Sequence, residues 1–281
     1  MPQTEADWLD TGRFEMEPKT VAGHDVMTAL ASPAISGVDP SLVITVGGIP
    51  RDPVRREKLP TINKLYAQLS LNVADSGHYG LMYNQPGTGK SSGDFETITF
   101  GERIKTLVEL SDEVAAGLGI NKIHLVGTSA GSYMAARAVE DIQERGLEIR
   151  SLVLQSPPAF PEAVEDVPYG PEFSELIRTP WEVSDSPVFK DIRRFARFGG
   201  KICLLYFQGD DPPIPGHIQT KYHDTIWELG QKGADVTSLS CNGVAHNFIK
   251  LNNNPASRRN AVDDASVYGT ARILKDAIIT E

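Results

Sequence analysis

Three side-chain types that together make a nucleophilic relay stand at suggestive places in this chain. They are the serine of Gly127-Thr128-Ser129-Ala130-Gly131, the carboxylate pair Asp210-Asp211, and His246. A serine hydroxyl is a poor nucleophile near neutral pH, so an imidazole has to take its proton as it attacks. A carboxylate orients that imidazole and stabilises its cation without accepting the proton itself. Negative charge then grows on the attacked carbonyl oxygen and has to meet fixed donors. Such a set performs acyl transfer, the hydrolysis of an ester, thioester or amide.

The spacing around the serine carries most of the signal. An apolar run at 123–126 reads as a buried strand, and an alanine-rich stretch of high helix propensity follows the G-x-S-x-G pattern. A serine between strand and helix in that pattern describes a nucleophile elbow. The turn is so tight that the residues two before and two after the serine have little room for side chains. Glycine at 127 and 131 meets that demand and leaves the Ser129 hydroxyl raised above the sheet edge.

The elements that must position these residues alternate along the chain. Two short strands joined at Ala22-Gly23-His24 are expected between 13 and 34; Val26 to Leu30 could open a helix, but Pro33 closes the run too soon. A strand at 42–46 ends in Gly47-Gly48-Ile49-Pro50 and is followed by a helix over 59–71. A strand at 79–83 runs into Asn84-Gln85-Pro86-Gly87-Thr88-Gly89-Lys90-Ser91. Ile104, Leu107, Val108, Val114 and Leu118 mark a helix stopping near Gly119. After the elbow come strands at 152–154, 202–207 and 236–241, with helices at 218–229 and 258–279. Apolar strands alternating with amphipathic helices predict an α/β protein: a mostly parallel central sheet with helices on both faces. Residues 159–199 break the rhythm with five prolines and scattered aromatics. They read as a small helical lid inserted into a core made of 1–158 and 200–281. In open parallel sheets sites lie at the carboxyl ends of strands, and Ser129, Asp211 and His246 each fall just beyond such an end.

Here the sequence resembles the α/β-hydrolase fold superfamily, from the strand at Leu42 to the closing helix. The order Ser129, Asp211, His246 is that of its catalytic triad. Gly47-Gly48 stands where the family has a His-Gly pair, and residues 84–91 stand where it has D-x-R-G-x-G-x-S. The acid loop normally resembles G-x-x-D-x-x-x-P; Gly209-Asp210-Asp211-Pro212-Pro213-Ile214-Pro215 is one residue shorter. The tail Asp-Pro-Pro-Ile-Pro favours Asp211 as the acid, with Asp210 as the alternative. One oxyanion donor is expected from the backbone N–H of Ala130. The other comes from the loop after Val46, where Pro50 has no N–H; this leaves Gly48 or Ile49, and the family's placement selects Ile49. The resemblance implies no cofactor and a small-molecule ester, thioester or amide substrate. A prolyl-aminopeptidase activity is the alternative within the family.

Composition narrows the rest. The 281 residues carry 27 Lys+Arg against 37 Asp+Glu, a net charge of −10 that argues against nucleic acid or anionic membrane as partner. No apolar run reaches the length of a membrane span. The acidic start lacks a signal-peptide pattern, and two cysteines, Cys203 and Cys241, read as buried free thiols; together these predict a cytoplasmic protein. Oligomeric state is not encoded in any pattern here. Gly87-Thr88-Gly89-Lys90-Ser91 imitates a phosphate-binding loop, but the first glycine of that motif is replaced by Asn84, and turn residues follow where a helix should open. Nucleotide binding through this loop, or a non-catalytic binding module, are the readings of other classes. His124 is expected to be a packed strand residue; His217 and His223 are six apart, on different helix faces, and do not make a metal pair.

Overall fold

A computed structural model describes residues 12–49, 64–179, 182–210, 214–245 and 264–279. Eight strands form one sheet: β1 (Phe14–Val21), β2 (His24–Ala31), β3 (Leu42–Val46), β4 (Tyr79–Tyr83), β5 (Lys122–Thr128), β6 (Glu148–Gln155), β7 (Lys201–Gly209) and β8 (Val236–Ala245). Their spatial order is β1-β2-β4-β3-β5-β6-β7-β8. The β1–β2 and β2–β4 pairs are antiparallel, and every later neighbour is parallel.

The parallel strands are continuous apolar runs because helices cover both of their faces. On one face Leu42, Ile44, Ile123, Leu125, Leu152 and Leu154 pack against α2 (Phe100–Leu118), α3 (Ala130–Glu144), α5 (Pro187–Arg197) and α6 (Gly216–Gln231). On the other, Val43, Val126, Val153 and Leu205 meet Leu65, Leu69 and Val73 of α1 (Lys64–Ala74) and Leu274 and Ile278 of α7 (Asp264–Ile278). Helix α1 approaches so closely that a Cβ on Gly80 of β4 would stand 2.6 Å from the Ser70 Cα.

Helix α2 shows its limits in sequence terms. Thr99 and Glu102 form a reciprocal capping box at its start, and Gly119 ends it at φ 67°. Residues 59–63 and 258–263, where the first and last helices were expected to begin, lie outside the described residues. Strand β8 exceeds its expected end at Cys241 by four residues, since β7 projects past β6 and supplies ladder partners up to the pair Gly209–Ala245.

The segment 159–199 contains 3₁₀ turns at Glu162–Asp166 and Val183–Asp185, the short helix α4 (Pro171–Leu176), and α5. Its rings pack on one another and on the core helices: Phe173 stacks on Phe100 at 5.0 Å and Phe160 lies 5.2 Å from Tyr133. Arg137 of α3 holds the segment at two points, through Glu165 at 2.6 Å and Asp191 at 2.5 Å. The Tyr133 hydroxyl also donates to Glu165, at 2.8 Å.

Candidate active site

Strand β5 ends at Thr128 and helix α3 begins at Ala130, so one residue makes the whole turn between them. That residue is Ser129, at φ 53° and ψ −128°. Outside the helical and extended wells a non-glycine residue is strained, and such strain persists only where the surroundings over-determine it. Here they do. A Cβ on Gly127 would lie 2.4 Å from the Ser132 Cα, and one on Gly131 would lie 2.0 Å from the Val46 oxygen. The Ser129 N–H donates to the Gln155 oxygen at 2.8 Å, and the Ser132 hydroxyl donates to the same oxygen at 2.9 Å. The elbow is thus wedged between β3 on one side and β6 on the other.

The loop after β3 comes down onto this serine. An ideal Cβ on Gly48 would stand 3.2 Å from the Ser129 Cβ and 3.8 Å from its Oγ. Gly48 and Ser129 are therefore brought together, and Ile49 follows, partly buried against the core. Ala130 opens α3, in the first turn where backbone N–H groups have no partner within the helix. A helix start also favours nearby negative charge.

Asp211 and His246 lie outside the described residues. The last paired residues before them, Gly209 and Ala245, are ladder neighbours. Asp210 is described, and it is fully buried. Its Oδ2 accepts from the Ser156 hydroxyl at 2.8 Å and from the Phe207 N–H at 2.6 Å. The carboxylate thus turns back to close the end of β7. Ser156 itself sits at φ 48°, directly after β6. Neither Ser156 nor Gln85, whose side chain reaches the Gly47 oxygen, was singled out by motif. The available signal was position alone: each is a polar residue just past the carboxyl end of a strand.

The phosphate-loop lookalike is occupied with itself. The Ser91 hydroxyl donates to the Asn84 oxygen at 2.6 Å and accepts from the Met27 N–H at 2.9 Å. No helix opens until Phe100. His124 is buried in β5 beside the Ser151 hydroxyl at 2.8 Å, and desolvation lowers its pKa to about 3. His223 meets Ser238, and His217 is exposed. Among the described residues no group of three or more His, Cys, Asp or Glu side chains is arranged to hold a metal, and no helix is long and apolar enough to cross a membrane.

A family model described as the alpha/beta hydrolase fold matches residues 59–191. The solved structure of a putative hydrolase from Agrobacterium vitis S4 superposes with a TM-score of 0.61 at 16% identity, covering 95% of this chain and 99% of that one. An alpha-beta serine hydrolase homologue from Coxiella burnetii gives 0.60 at 15% identity, over 94% and 97%. With the sheet order and the serine elbow, these matches show that the chain has the α/β-hydrolase fold. It is also similar to a proline iminopeptidase from Lactobacillus delbrueckii subsp. lactis, 34% identical over 92 residues. That match spans 32% of this chain and 31% of the relative, about a third of its length.

Proposed function

We propose that the protein is a serine hydrolase that cleaves a carboxylic ester, with thioesters and amides as related substrates. The observation that carries this reading is the backbone of Ser129, held at an unfavourable φ by two glycines that cannot be replaced without collision. Strain of that kind has a use if it lifts a hydroxyl into reach of a substrate carbonyl. Ser129 then attacks, His246 takes its proton, and an aspartate at the end of β7 orients the imidazole. The amides of Ala130 and of Ile49, with Gly48 as the alternative, receive the oxyanion. The family's D-P-x-x-P tail supports Asp211 as the acid. Burial of Asp210 between Ser156 and Phe207 supports Asp210. Asp210→Asn and Asp211→Asn, measured side by side, separate the two. Residues 159–199 act as the lid over the acyl pocket, a reading supported by their packing on Phe100 and Tyr133. Both cysteines are free thiols, Cys203 buried as expected and Cys241, against expectation, only partly buried, and free thiols fit a reducing cytoplasm.

The test is labelling with a fluorophosphonate probe, the modified residue mapped by mass spectrometry, together with turnover of p-nitrophenyl acetate. We expect the label on Ser129 and a Ser129→Ala protein slower by roughly four to six orders of magnitude. Wild-type turnover in that variant, or a label elsewhere, overturns the reading. The similarity to a proline iminopeptidase favours a second reading, removal of an amino-terminal proline. Faster Ser129-dependent cleavage of proline p-nitroanilide than of the ester would establish it instead.

A further inference from the structure

The superfamily's His-Gly pair is Gly47-Gly48 here, so the histidine of that pair is not present to brace the oxyanion loop. A brace does exist, supplied from β4. The Gln85 Nε2 donates to the Gly47 oxygen at 2.5 Å, and the side chain is buried. The Gln85 Oε1 is also buried and has no hydrogen-bond partner among the described residues. The opposite orientation of the amide would set oxygen against oxygen, so the Gly47 carbonyl fixes which end faces it. A buried acceptor left unpaired is a cost, borne here to keep one bond.

The loop that presents Gln85 is itself immobilised by its carbonyls. The Asn84 oxygen accepts from the Ser91 hydroxyl at 2.6 Å. The Gln85 oxygen accepts from both the N–H and the hydroxyl of Thr88, at 2.9 and 2.7 Å. The Pro86 oxygen accepts from Arg103 Nη1 at 2.5 Å, from a fully buried guanidinium that also lies 4.9 Å over the Phe95 ring. Gly87, at φ 71°, allows the Phe95 backbone to pass where a Cβ would be 2.6 Å away. The glutamine therefore projects from a rigid base.

In a trans peptide the carbonyl and the following N–H point in opposite directions. Pinning the Gly47 oxygen toward Gln85 consequently sets the Gly48 N–H to the other side, and the Ile49 N–H is one residue on. Gly48 is the residue on which an added Cβ would meet the Ser129 Cβ at 3.2 Å. We propose that Gln85 is the positioning residue of the oxyanion hole: it does not touch substrate, but fixes the peptide planes that carry the donors. The proposal rests on the serine-hydrolase reading above for its catalytic consequence, and on geometry alone for the brace.

The experiment compares wild type with Gln85→Leu, which removes the donor, and Gln85→Glu, which keeps the shape. Three quantities are read: ester kinetics, affinity for an alkyl boronic acid whose tetrahedral adduct carries an oxyanion, and amide exchange of the peptide spanning 47–49. In Gln85→Leu we expect kcat to fall on the order of ten-fold with KM unchanged. Boronate affinity falls in the same proportion, and exchange at 48–49 quickens by a similar factor. In Gln85→Glu the protonated acid can still donate, so its kcat falls away toward alkaline pH where wild type stays level. A merely structural role would lower thermal stability without splitting kcat from KM or adding an ionisation. Unchanged exchange at 48–49, or kcat and boronate affinity both within two-fold of wild type, overturns the proposal. If wild type shows no Ser129-dependent turnover, the hydrolase reading has failed, and exchange at 48–49 still decides the brace.

Discussion

Replacing Gly131 by alanine adds one methyl group at the point where the elbow meets the oxyanion loop. That Cβ would stand 2.0 Å from the Val46 oxygen and 2.7 Å from both the Val46 carbon and the Gly47 oxygen. Non-bonded heavy atoms come to rest at about 3.5 Å or more, so the gap has to widen by well over an ångström. A flexible side chain cannot absorb this, because the three nearest atoms are all backbone. Helix α3 has to slide away from β3, or the end of β3 has to move, and either shift separates Ser129 from the loop that Gly48 presses against it. Overpacking of this kind costs about 1–3 kcal/mol, and a displacement near 1 Å costs on the order of a hundred-fold in rate. For a chain of this size the stability loss lowers Tm by roughly 2–4 °C per kcal/mol. Gly117 is the internal control: it lies in α2 with nothing within 4 Å of its Cβ, so alanine there should stabilise by about 0.5–1 kcal/mol. Differential scanning calorimetry and ester turnover on both variants check the contrast. A Gly131→Ala protein with wild-type Tm and kcat refutes the argument.

Acid should expose the cost of His124. Burial lowers its pKa to about 3 from an ordinary 6.5, so the folded state holds fewer protons than the unfolded one and stability falls as pH drops below 6.5 toward 3. At pH 5 this amounts to about 2 kcal/mol, and urea midpoints at pH 7 and pH 5 should differ less in His124→Gln than in wild type; equal differences would remove the assignment. Arg137→Met leaves Glu165 and Asp191 without their shared cation, and breaking a largely buried pair in this way costs about 3–5 kcal/mol. Asp112→Ala severs only the exposed Arg145 pair and should shift stability by less than about 1 kcal/mol. Denaturant titration of the two variants tests that ordering.

The elbow was legible because its requirement is local. Glycine at 127 and 131 is a statement about absent Cβ atoms, which here would collide with Ser132 and Val46. The alternation of apolar strands and amphipathic helices was legible for the same reason, since each period is written within a dozen residues. Strand β8 was read four residues short because its last pairs depend on how far β7 outruns β6, a property of neighbouring segments. The sequence offers Asp210 as an alternative acid, but its partner Ser156 is 54 residues away. No pattern links the two.

Gln85 marks where local reading ends. Its bond to Gly47 crosses 38 residues of sequence, and the missing histidine of the family's His-Gly pair gave a place to look without saying what fills it. The fold supplies the answer through register: β4 lies directly beside β3, so the loop leaving β4 is the nearest rigid body to the loop leaving β3. A side chain that projects from one parallel strand end can therefore discipline the next. The same adjacency joins β5 to β3 through Gly131 and Val46. The three loops around Ser129 thus control one another by contact, and a change in any one should be felt as a loss of kcat before it is felt as a loss of fold.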